Sequence, residues 1–129
     1  MRQILLILLL VTSIFAEVIN QKIDKKLIDS GIKIIDIRTP SEWRETGVVK
    51  GSIPIMFFDE RGQYNLNEFM SKLNKHVKKG EKFALICRSG SRTTMVSQFL
   101  SKEYGYDVIN LEGGILYGIG AKVPLIPYQ

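Results

Sequence analysis

Cysteine is close to absent from this chain: Cys87 is the only one. No disulfide can form within it, and histidine is equally scarce, with His76 alone. One cysteine and one histidine give no zinc-ligand spacing, so neither a metal nor a cofactor is expected. His76 lies among lysines and reads as a solvated surface residue. Aromatic residues make up 9% of the chain and do not interleave with its basic residues. That removes the usual nucleic-acid-binding pattern despite a formal charge of +5. Lys22, Lys25 and Lys26, and then Lys72, Lys75, Lys78 and Lys79, read as solvated helix faces. Long-range attraction of small anions is their weaker functional reading. Repeats, low-complexity tracts and linkers are missing, and 129 residues suit one domain.

Long apolar runs are scarce as well. The longest, Ile4 to Val11, falls short of the roughly 20 residues a membrane span needs. Met1-Arg2-Gln3 precedes it and Thr12-Ser13-Ile14-Phe15-Ala16 follows, the three-part layout of a secretory signal peptide. The expectation is therefore a signal peptide over 1–16, cut after Ala16, and a domain over 17–129. The mature chain is expected to be exported to a bacterial periplasm without stable membrane insertion. An uncleaved anchor is the competing reading. A lone cysteine in an oxidising compartment is a liability unless its chemistry is used.

What is present centres on that cysteine. Phe83-Ala84-Leu85-Ile86 is an apolar run ending in Cys87, and Arg88-Ser89-Gly90-Ser91-Arg92-Thr93 follows before a helix-patterned segment. A buried strand thus enters a small polar loop that opens onto a helix N-terminus. Backbone N–H groups converge there and the helix dipole adds positive potential. Such a site, with Arg88 and Arg92 beside it, holds a sulfur as thiolate. A free cysteine more often packs as a small hydrophobe. Five following residues that no core would select favour the reactive reading.

The remaining pattern alternates strands and helices. Val18 to Ser30 reads as a helix with Ile19, Ile23, Leu27 and Ile28 on one face and Gly31 as its stop. Ile32 to Ile37 reads as a buried strand. Thr39-Pro40-Ser41-Glu42 is a capping box that starts a short helix. Ser52 to Phe58 reads as a strand, and Asn65 to Val77 as a helix. Ser91 to Tyr104 reads as a helix with Met95, Val96, Phe99 and Leu100 inward, and Val108 to Leu111 as a last strand. Gly113-Gly114 turns the chain away. Trp43 reads as core, and Asp36, Arg38 and Glu42 as a bracing charge network. The sum is an α/β fold, a parallel sheet flanked by helices on both faces, with ligands beyond the carboxyl ends of its strands.

These residues resemble the rhodanese-homology domain of sulfurtransferases, from about Ile34 to Pro124. Ile35-Asp36-Ile37-Arg38 with Glu42-Trp43 is similar to that family's first signature. Gly47-Val48-Val49-Lys50-Gly51-Ser52-Ile53-Pro54 is similar to the next, with Val48 where histidine is usual. Cys87 to Thr93 resembles the active-site loop and Leu111-Glu112-Gly113-Gly114 the closing segment, although the tryptophan common after the double glycine is absent. The resemblance implies a sulfurtransferase with Cys87 as catalytic nucleophile and Arg88, Ser89, Gly90, Ser91 and Arg92 as the substrate-binding cradle. A sulfane sulfur would pass from thiosulfate or a related small anionic donor, through a Cys87 persulfide, to cyanide or a thiol acceptor. A polysulfide carrier serving a partner enzyme is the alternative, and a non-catalytic interaction module is a third. Phosphatase loops in related folds run C-x5-R, one residue longer than the C-x4-R from Cys87 to Arg92.

Overall fold

Two apolar segments without alternation set the centre of the molecule. The computed structural model describes residues 16–129. The signal-peptide reading of 1–16 therefore lies, Ala16 apart, outside the described residues. Along the chain run β1 (Val18–Gln21), α1 (Lys25–Asp29), β2 (Ile34–Asp36), α2 (Pro40–Thr46), β3 (Val48–Val49) and β4 (Ile53–Pro54). Then follow α3 (Leu66–His76), β5 (Phe83–Ile86), α4 (Ser91–Tyr104), β6 (Val108–Leu111), α5 (Gly114–Gly120) and β7 (Leu125–Ile126). Every residue of β2, β5 and β6 is buried, as strands covered on both faces require.

The main sheet has the order β1-β6-β5-β2-β4 and all its pairings are parallel. Its register sets Ile35 opposite Leu85 and Ala84 opposite Ile109. Successive side chains take opposite faces. Ile35, Phe83, Leu85 and Cys87 therefore pack with Phe69 and Leu73 of α3 and Val96 and Leu100 of α4. Ile34, Ala84, Ile86 and Leu111 pack on the other side with Leu27 of α1 and Ile115 of α5. Full burial of a side chain such as Leu73 stabilises by about 1.5–3 kcal/mol. β3 and β7 form a separate antiparallel pair, with Val48 opposite Ile126 and Val49 opposite Leu125.

Local signals explain most element starts. Thr39 caps α2 in a reciprocal box with Glu42, and Pro40 takes the first turn. Asn65 caps α3 by accepting the Glu68 N–H at 3.0 Å. Trp43 is buried, as the sequence predicts. No helix among the described residues is long and apolar enough to cross a membrane.

Four expectations need correction. The helix predicted over 18–30 is a strand and a shorter helix. β-Branched Val18 and Ile19 extend the sheet beside β6, held by Val108 N–H to Glu17 carbonyl at 3.1 Å and Glu112 N–H to Gln21 carbonyl at 2.9 Å. Asp24 then accepts the Leu27 N–H at 2.7 Å and starts α1. Ile23 and Leu27 still reach one core, which is why helical spacing misled. Met95 points outward, 57% exposed, while Thr93, Ser97 and Ser101 take inward places on α4. Only Ile53–Pro54 of the 52–58 segment forms a strand, although Ile55 and Phe57 still donate to the Asp36 and Ile37 carbonyls. Gly113-Gly114 opens helix α5 instead of a plain turn.

Candidate active site

The carboxyl ends of β2, β5 and β6 meet at one edge of the sheet and deliver Arg38, Cys87 and Glu112 there. The chain leaves β5 at Cys87 and must enter α4 only four residues later. Gly90 makes that bend with φ of 101°, a left-handed conformation that other residues resist. The turn brings its own N–H back to within 3.2 Å of Cys87 Sγ, as donor. Thr93 Oγ1 lies 3.5 Å from the same sulfur. Cys87 is fully buried, yet its sulfur has polar partners that a packing cysteine lacks.

The segment after β6 holds the loop from behind. Ile115 N–H donates to the Cys87 carbonyl at 2.9 Å, and Leu116 N–H to the Arg88 carbonyl at 3.1 Å. Planar trans peptides place N–H opposite C=O, so tying these carbonyls to α5 turns the next amides away from it. Gly114 permits the close approach. A Cβ there would stand 2.5 Å from both carbonyl oxygens. At the other end of the loop, the first turn of α4 has N–H groups without helical partners.

The two arginines of the loop diverge. Arg92 makes a bidentate pair with Glu42, both N···O distances 2.7 Å, with the side chains 24% and 18% exposed. This pairing, more than any other influence, holds the Glu42 carboxyl below its usual range, while burial opposes it and Thr39 adds support. Arg92 is raised in turn, chiefly by hydrogen bonding to Glu42. Arg88 stays exposed, 3.9 Å from Glu45. Below them, fully buried Arg38 donates to Asp36 at 2.8 and 3.0 Å, to Thr46 Oγ1 at 2.8 Å and to the Gly47 carbonyl at 2.9 Å. That network ties the end of β2 to the C-terminal end of α2.

Comparison with known proteins bears on this arrangement. The Rhodanese family model, described as a rhodanese-like domain, matches residues 16–117. The chain belongs to the rhodanese-like domain family. YtwF of Bacillus subtilis (strain 168), provisionally named a sulfurtransferase, is 31% identical over 96 residues, covering 74% of this chain and 82% of that protein. The mitochondrial protein HIGH ARSENIC CONTENT 1 of Arabidopsis thaliana is 32% identical over 92 residues, covering 70% of this chain. The match spans only 54% of that plant protein, and 67% of rhodanese-like domain-containing protein 17 of the same plant. Among solved structures, a rhodanese-related protein from Thermoplasma volcanium aligns with a TM-score of 0.59 at 25% identity, over 80% of this chain and 91% of that one. A rhodanese-like domain protein from Staphylococcus aureus aligns with a TM-score of 0.61 over 88% and 99%, at an identity of 22% that speaks for the fold alone.

Within this rhodanese-like domain the site residues singled out by sequence run from the β5–α4 loop, Cys87 to Gly90, into the first turn of α4, Ser91 and Arg92. Cys87 and Gly90 are buried, Arg88, Ser89 and Ser91 are exposed, and Arg92 is half-buried. Sequence reasoning missed three contributors. Thr93 was legible only as the last residue of the loop segment, Glu42 only in a capping box and a bracing network without its partner Arg92, and Gly113-Gly114 only as a turn in the closing segment. The Asp59-Glu60-Arg61 turn, whose place the sequence leaves open, puts Asp59 and Glu60 on the wall of a cleft of about 600 Å3 that Arg92, Glu42, Phe58 and Met95 also line. Among the described residues no group of His, Cys, Asp and Glu is arranged to hold a metal ion.

Proposed function

We propose that this rhodanese-like domain is a sulfurtransferase that carries a sulfane sulfur as a Cys87 persulfide. The observation that carries the reading is the Gly90 N–H at 3.2 Å from Cys87 Sγ, inside a loop whose carbonyls are drawn off by α5. Preorganised donors of this kind stabilise charge on a sulfur without reorganisation during reaction. In the first half-reaction the Cys87 thiolate attacks the outer sulfur of thiosulfate. A new S–S bond forms, the donor's S–S bond breaks, and its electron pair leaves on sulfite. In the second, cyanide or a thiolate attacks the outer persulfide sulfur, and the pair of the broken S–S bond returns to Sγ. This is covalent, two-stage catalysis.

Arg88, Ser89, Gly90, Ser91 and Arg92 form the cradle around the outer sulfur. Arg88, exposed at the loop, attracts the anionic donor, and Arg92 braces the loop through Glu42. The C-x4-R length suits one sulfur atom better than a phosphoryl group. Export of residues 17–129 belongs to the same reading, and cleavage after Ala16 is checked by the N-terminal sequence of protein recovered from cells. The function is tested by thiocyanate formation from thiosulfate and cyanide. Parallel double-reciprocal lines for wild type and no product from Cys87→Ser are expected. Loading by polysulfide with negligible turnover would mark a carrier instead, and no sulfur uptake from either donor would overturn both.

A further inference from the structure

The geometry points to Thr93 as a second catalytic residue, whose hydroxyl stabilises Cys87 Sγ as the leaving thiolate when the outer sulfur departs. This rests on the persulfide reading above. Thr93 is fully buried, and its Oγ1 sits between two acceptors, the Gly90 carbonyl at 3.2 Å and Cys87 Sγ at 3.5 Å. The Gly90 carbonyl does not depend on it. That oxygen already receives the Thr94 N–H at 3.0 Å and the Thr94 hydroxyl at 2.7 Å. Thr93 therefore has one proton and only one acceptor with an unmet need, which appears when the sulfur carries charge. A thiolate has no proton to give, so in that state the hydroxyl is necessarily the donor. Backbone donation from Gly90 N–H reaches the same atom and leaves room for this second bond.

The two half-reactions use the contact differently. During loading Sγ starts as an anion and loses charge as its bond to the outer sulfur forms, so a donor on Sγ gives no gain in the transition state. During discharge the Sγ–S bond breaks, the electron pair moves onto Sγ, and charge grows where the hydroxyl points. Only interactions stronger in the transition state than before it accelerate a step. Thr93 is thus specific to discharge.

Single-turnover experiments separate the steps. Full-length wild type, Thr93→Val and Thr93→Ser are loaded with thiosulfate, or with polysulfide, and then discharged with cyanide, and Cys87 persulfide is followed by rapid-quench mass spectrometry. Thr93→Val is expected to slow discharge about 10- to 100-fold, the worth of one hydrogen bond to a charged group. Loading should change far less, and Thr93→Ser should restore discharge to within a few-fold of wild type. Thr93→Ala supplies the same comparison if the valine variant does not fold. Equal slowing of both steps, unchanged discharge, or failure of serine to rescue overturns the role of Thr93 while leaving the persulfide reading intact. Wild type that takes up no sulfur from either donor overturns both together.

Discussion

Replacing Gly114 with alanine tests how the sulfur loop is held from behind. Gly114 has φ of +55°, and a Cβ there would lie 2.5 Å from the carbonyl oxygens of Cys87 and Arg88. Two separate penalties follow. Left-handed backbone disfavours an L-residue by about 1–2 kcal/mol. Overpacking against backbone adds about 1–3 kcal/mol, because no flexible side-chain end is there to yield. Gly114→Ala should therefore lose about 2–5 kcal/mol, from a total of about 5–15 kcal/mol for a domain of this kind. Gly31→Ala is the control: φ there is +81°, and a Cβ would meet nothing within 4 Å. It should lose only the backbone part, about 1–2 kcal/mol, and keep full sulfur loading. Urea unfolding followed by fluorescence of the single, buried tryptophan, Trp43, measures both. Relief of the clash must push the Cys87 and Arg88 peptides off α5, so Gly114→Ala should also slow persulfide formation while still folded. Equal losses in the two variants, with loading unchanged in both, would refute the idea that α5 aligns the loop.

Three further outcomes follow from the charges. Arg38→Leu strands the Asp36 carboxylate in a fully buried place and should lose about 3–5 kcal/mol in urea unfolding, a loss below about 1 kcal/mol contradicting this. Glu42 has a depressed folded-state pKa, so its contribution is present above the unfolded value of about 4.3 and is lost as pH falls through the folded value. Unfolding curves of wild type and Glu42→Gln should accordingly differ above that pH and converge in acid, and a gap that persists unchanged at low pH would count against the Arg92 pairing as its source. Arg88→Ala should leave stability unchanged, since its contact with Glu45 is exposed and 3.9 Å long. It should slow loading by thiosulfate several-fold at low salt and flatten the salt dependence, and equal salt dependence in both proteins would remove Arg88 from donor attraction.

Much of this was legible where one physical signal dominates. The strand readings at 32–37 and 83–86 gave buried parallel strands, the first narrowed to Ile34–Asp36, and Thr39-Pro40-Ser41-Glu42 gave a helix start down to its capping bonds. The β5–loop–α4 turn that carries Cys87 is also where the sequence puts it. Failures occurred where two patterns coincide or where partners are distant. Ile19, Ile23 and Leu27 satisfy helical spacing and also a strand followed by a capped helix, and only the open edge of β6 decides between them. Met95 reads as core by residue type, yet Thr93, Ser97 and Ser101 claim the inward positions of α4. The Glu42–Arg92 pair joins residues 50 apart, and a glycine-rich stretch hides α5, so neither leaves a local trace.

The central claim is that Cys87 carries the sulfur, and the chain's composition makes one measurement decisive because it holds a single cysteine. Intact-protein mass spectrometry is run on wild type and Cys87→Ser before and after thiosulfate, and again after cyanide. The account predicts a gain of one sulfur mass on wild type alone, removed by cyanide. No gain on wild type, or the same gain on Cys87→Ser, contradicts it.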